Sequence, residues 1–305
     1  MVGRRKGSGD VNRILPSMVP VQCHCRNAKE IEYECVDIYK QPAFQHPLMK
    51  DHQIQMRPSV DFQTTVSTEP ETSDLFTGKA EERCPKGQVP IHIPQINYTN
   101  DFVQPNRIIT EANLHVHIGL YRDDRPRLTT YWISNRHQNG CYNVLCRGGY
   151  VQVHKTIYPG MAYNKISVLG KRQSTAHLLV GQDSRTKNWL LMTRKTLIGY
   201  WPYQIFSMQG VSQVFFGGYT GGLAGAISPP MGAGTFPRQV GYRNKFACFM
   251  KQLKYFEDKR LVDIDSNEFE EYVDSPKCYD VWYREFEIRS GEMLTFGGPG
   301  GQCGI

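Results

Sequence analysis

Leu114-His115-Val116-His117-Ile118-Gly119-Leu120-Tyr121 is the stretch that decides the fold. Apolar residues stand at every second position, with His115, His117, Gly119 and Tyr121 between them. That is the period of a half-buried β-strand. The same reading predicts strands at 128–133, 151–156, 176–180, 189–193, 196–201, 211–216 and 293–296. Each is short, rich in aromatic or β-branched residues, and bounded by Gly, Pro, Asn or Asp turns. No amphipathic pattern is sustained over three helical turns in this half. Many short strands at this spacing predict a mainly β fold, an antiparallel sandwich or barrel.

Composition sets the outer bounds. The 305 residues are 40% hydrophobic and 21% charged, enough for one large domain or two moderate ones. No apolar run is long enough to span a bilayer. The formal charge is +7. Arg4, Arg5 and Lys6 stand in a Gly/Ser-rich start suited to an anionic surface, but the other positive charge is scattered. No recognition motif accompanies it, so no nucleic-acid partner is expected. Residues 1–30 lack periodicity and read as a mobile arm. Residues 67–74 (STEPETSD) read as an exposed linker, either a cleavage site or an ordinary surface loop. The acidic stretch 257–274 reads as a solvated loop or short helix.

Nine cysteines are many for a cytosolic chain and point to an oxidising compartment. Asn97-Tyr98-Thr99 is a glycosylation sequon, which fits export. The first twenty residues have a basic start but no apolar h-region, so no signal peptide is read there. The cysteines outweigh this, and the expectation is an exported protein whose true start is missing or altered.

Several constellations give weaker signals. Cys23-His24-Cys25 has no second ligand pair at zinc spacing. His115 and His117 with Glu111 lack a further ligand from another element. Residues 217–234 are glycine-rich but lack the Lys-Ser/Thr ending of a phosphate loop, so they read as a turn-rich loop. No metal and no cofactor is expected. Trp132, Trp189, Trp201 and Tyr200 are either walls of a substrate groove or core packing.

Residues 35–59 read CVDIYKQPAFQHPLMKDHQIQMRPS, an unusual order of Pro, His, Lys and aromatic residues. The stretch closely resembles the activation-peptide region of the neprosin family of plant proteins. Further on come TYW (130–132), GCYNVLC (140–146), GYWP (199–202), MGAGTFP (231–237), CYDV (278–281) and GGPGGQC (297–303). These are similar, in the same order, to that family's peptidase domain. The resemblance implies an activation-peptide-like pro-region at 31–94 and a peptidase-like two-sheet β-sandwich at 105–305, with a cleft on its concave face. It also implies disulfides Cys141–Cys146 and Cys278–Cys303. Cys35 and Cys84 are candidates for a third pair, leaving Cys23, Cys25 and Cys248. A secreted or cell-wall zymogen is implied, with its own pro-region and a proline-containing peptide or protein as partners.

Glutamic peptidases set two acids around one water. One carboxylate takes the water's proton, while its partner polarises the carbonyl or returns a proton. Two close carboxyls cannot both ionise, so the pair suits acidic pH. Counting back from Tyr131-Trp132, the first glutamate of the resemblance falls on Glu111, followed by Ala112, with Asn113 and Leu114 in place of glycine and tryptophan. The second falls on Tyr219, at the end of Val214-Phe215-Phe216-Gly217-Gly218. No Asp or Glu lies between Asp183 and Glu257 to replace it. Only about twenty residues separate CPKGQVPI (84–91) from Glu111, where the resemblance calls for several strands, so two or more are expected to be missing. Two functions follow: a secreted acid endopeptidase cleaving at proline with impaired activity, or an inactive member that binds a peptide or cell-wall ligand.

Overall fold

The computed structural model describes residues 2–6, 15–20, 33–59, 62, 73–74, 84–92, 109–115, 118–121, 123–134, 137–146, 148–163, 166–206, 214–220, 226–241, 244–257, 260–265, 267, 269–287 and 291–303. Among them the fold is mainly β and antiparallel, and no helix exceeds four residues. Strands Trp189–Thr193 and Thr196–Trp201 fall where the short apolar segments were read from sequence. A nine-stranded sheet runs in the order Asp280–Glu287, Gly291–Gly297, Cys248–Lys251, Leu15–Pro20, Ser174–Gln182, Trp189–Thr193, Thr196–Trp201 and Val151–Gln152, with Ser73–Asp74 beside Ser174–Gln182. Two three-stranded sheets carry the candidate acids' positions. One orders Ile109–His115, Arg127–Ser134 and His137–Tyr142; the other orders Phe215–Gly218, Val2–Lys6 and Phe269–Val273.

Three expectations need correction. The strand that opened the sequence reading stops at His115, and Ile118–Tyr121 is a single helical turn. Its neighbour explains this: His115 pairs with Arg127 in register, so the chain must reverse within residues 116–126. The reversal is held by Asp123, whose carboxylate accepts from the Arg125 backbone N–H and pairs with the buried Arg127 guanidinium at 2.5 Å. Second, the arm read as mobile contributes Val2–Lys6 and Leu15–Pro20, each lying between two other strands. Neither announces itself in sequence: Val2–Lys6 is mostly basic and Leu15–Pro20 carries two prolines. Third, the acidic stretch read as a loop or helix holds Arg260–Asp263 and Phe269–Val273. Phe269 is buried while Glu270 and Glu271 face water, so a half-exposed strand accommodates the charge.

Two apolar cores underlie these sheets. The larger gathers Trp132, Trp189, Tyr200 and Trp201 with Ala43, Met49, Phe62, Val89 and Ile91. The aromatic residues weighed as groove walls are therefore core, and Ala43, Met49, Phe62, Val89 and Ile91 share that core. The smaller gathers Phe216, Met231, Tyr279, Leu294 and Phe296.

Disulfides join Cys35 to Cys84, Cys141 to Cys146 and Cys278 to Cys303. The last closes a sequence separation of 25 residues, which contributes about 3–4 kcal/mol in the chain-entropy account. It ties down a glycine-rich end where backbones nearly touch. A Cβ on Gly298 would lie 2.1 Å from the Cys278 carbonyl oxygen. Gly298→Ala is expected to destabilise the fold by roughly 1–3 kcal/mol, as overpacking does. Urea denaturation checks this, with the midpoint falling.

Candidate active site

Glu111 lies in the strand Ile109–His115, with Tyr131 as its register partner; Tyr131 in turn faces Tyr142. Tyr219 follows directly on Phe215–Gly218, whose Gly218 pairs with Val2. The two positions stand on separate sheets, and their neighbours feed different cores. Gly218 is needed for close approach, because a Cβ there would lie 2.6 Å from the Phe296 ring. Beside Tyr219, the Thr220 hydroxyl donates to the Tyr279 hydroxyl at 3.0 Å, which donates to the Pro229 carbonyl at 2.7 Å. These bonds fasten the loop after Tyr219 to the loop around Met231. His117, Asn97, Cys23 and Cys25 lie outside the described residues. Among the described residues no group of three His, Cys, Asp or Glu is arranged to hold a metal.

The most developed polar site lies elsewhere, where residues 41–59 rest on the large sheet. Gln41 is buried and its amide pairs twice with the backbone of Gln152, accepting at 2.7 Å and donating at 2.9 Å. His52 Nε2 pairs with the Tyr200 hydroxyl at 2.7 Å, and the Gln55 N–H donates to the same hydroxyl at 3.1 Å. Asp183 is fully buried. Its carboxylate accepts from the N–H groups of Ser59 at 2.7 Å, Arg185 at 2.9 Å and Thr186 at 3.2 Å, from Gln55 Nε2 at 2.7 Å, and from the Ser59 hydroxyl. Gln41, His52, Gln55 and Ser59 fall in the stretch 35–59 quoted above, but no motif marks Asp183. One signal was present: Asp183 is the sole acid between Asp124 and Glu257.

The fold is thus an antiparallel β domain with an amino-terminal segment built into its core. The sequence matches the family model described as Neprosin over residues 93–299 and the one described as Neprosin activation peptide over residues 30–106. The chain belongs to the neprosin family. Residues 41–59 thus fall in its activation peptide, and the contacts above are how that peptide docks.

Those contacts are tuned to pH. Burial lowers the His52 pKa, with a hydrogen bond to Gln204 opposing it. Burial likewise pushes His92 down to about 4, with Arg127 adding to the effect. Burial would raise Asp183, but the side chain and backbone of Ser59 and the N–H groups of Arg185 and Thr186 outweigh it, leaving the carboxyl below its ordinary 3.8. A histidine lowered in the folded state gives its full stability above about pH 6.5 and loses it as pH falls toward the folded value. A carboxyl so lowered stabilises above its ordinary pKa and is lost below it. Both act in one direction, with the histidines first. Hydrogen exchange in residues 41–59, corrected for intrinsic rates, is expected to be faster at about pH 5 than at pH 7, in the window set by His52. His52→Gln is expected to reduce that difference; an unchanged difference would exclude His52 as a source.

Proposed function

We propose that this chain is a secreted acid endopeptidase of the neprosin type, cleaving proline-containing peptides with impaired activity. The observation that carries the reading is Tyr219 at the position of the second acid, with no Asp or Glu in residues 184–256 to replace it. Glu111 as a carboxylate takes the proton of the attacking water. The Tyr219 phenol, with an ordinary pKa near 10, donates a hydrogen bond to the carbonyl oxygen but is no ionised base at acidic pH. Loss of one acid-base partner slows such a reaction roughly 10²–10⁴-fold. The three disulfides fit an extracellular or cell-wall setting.

A second reading, a member that binds a peptide or cell-wall ligand without cutting it, is favoured by the activation segment's share in the domain's core. A proline-containing fluorogenic peptide at acidic pH separates the two. Weak turnover that is lost in Glu111→Gln and rises about 10²-fold or more in Tyr219→Glu supports the impaired peptidase. Turnover untouched by Glu111→Gln would overturn it. No cleavage by either the native chain or Tyr219→Glu favours the binding protein.

A further inference from the structure

Residues 183–188 connect the strands Ser174–Gln182 and Trp189–Thr193, and three side chains converge from this turn on one point. Each is oriented by the domain's own backbone. Asp183 Oδ1 accepts from the N–H groups of Arg185 and Thr186. The Thr186 hydroxyl accepts from the Asn188 N–H at 3.3 Å, and Asn188 Oδ1 accepts from the Tyr203 N–H at 3.0 Å. The turn therefore presents one acceptor, Asp183 Oδ2, and two donors, the Thr186 hydroxyl and Asn188 Nδ2. The carboxamide of Gln55 sits among them. Its oxygen accepts from Thr186 Oγ1 and Asn188 Nδ2, both at 2.8 Å. Its nitrogen donates to Asp183 Oδ2 at 2.7 Å and to the Arg57 carbonyl at 3.0 Å. All four hydrogen-bonding positions of the amide are filled.

We infer that the turn 183–188 is a preformed primary-carboxamide site that reads a glutamine side chain of a peptide and rejects glutamate, with Gln55 as its occupant in cis. The peptide's identity as an activation segment comes from the family, but the inference requires no cleavage. Discrimination follows from the donor set. Glutamate would replace the NH₂ donor with a second carboxylate facing buried Asp183, and buried unpaired or like-charged groups are expensive. Asp183 loses the Ser59 bonds when residues 41–59 lift, but the bonds from Arg185, Thr186, Asn188 and Tyr203 that orient the three side chains come from the domain itself, so the site persists for a glutamine-bearing peptide.

Gln55→Ala in the full-length chain removes the CH2–CONH2 end of the side chain, which acetamide supplies in solution. The variant is expected to unfold at a lower temperature than the native chain. Acetamide at tens of millimolar, a concentration suited to a weak fragment, is expected to restore about half of the loss. Acetate, of the same shape but ionised at pH 7, is expected to restore none. Rescue by acetate equal to that by acetamide, or no rescue by acetamide, overturns the assignment. A second pair keeps the test independent of Gln55→Ala folding: Gln55→Glu should lower the midpoint more than Gln55→Ala, and Asp183→Asn added to Gln55→Glu should recover part of it. Failure of that recovery also overturns the assignment. Thermal midpoints read binding without turnover, so the result stands whether or not the chain hydrolyses peptides.

Discussion

The structure turns on one buried carboxylate. Asp183 is the only acid in a long basic stretch, and it is satisfied by donors from two sources. Arg185 and Thr186 fix it within its own hairpin, while Gln55 and Ser59 bring the activation peptide to it. A buried charge with so many partners is stable only while they stay, because an uncompensated carboxylate in a dry site costs several kcal/mol. Lifting the segment therefore strips Asp183 of the Gln55 and Ser59 bonds and leaves it those of Arg185 and Thr186.

The apolar contacts point the same way. Ala43, Met49 and Phe62 sit in the core that holds Trp132, Trp189 and Trp201. A segment destined only to cover a cleft would bury little beneath the sheets. This one contributes to the core directly, and the Cys35–Cys84 bond ties it to the strand Gln88–His92, which pairs with Tyr33–Asp37. The candidate catalytic positions lie apart from this junction.

How much of this could be read from sequence depended on burial. Strands with both faces in the core, such as Trp189–Thr193 and Thr196–Trp201, declared themselves through runs of large apolar residues. Ile118–Tyr121 misled, since alternation continued past the point where the Asp123–Arg127 pair reverses the chain. Phe269–Val273 was hidden by its glutamates, which suit the wet face of a strand as well as a loop. For the candidate site, Glu111 and Tyr219 were named through motif order; Glu111 lies in Ile109–His115, whereas the strand read at 211–216 is Phe215–Gly218 and Tyr219 follows its end. The carboxamide site was not legible, because Gln55 lies over a hundred positions from Asp183 and Asn188, with separations of 128 and 133. Only the fold brings them together.

The direct measurement is a carbon-13 NMR titration of the Asp183 carboxyl in the intact chain. If its hydrogen bonds to the activation peptide dominate its burial, the group titrates below an ordinary aspartate, and Ser59→Ala moves it upward. A carboxyl titrating at or above the ordinary value, indifferent to Ser59, would contradict the view that this residue holds the two parts together.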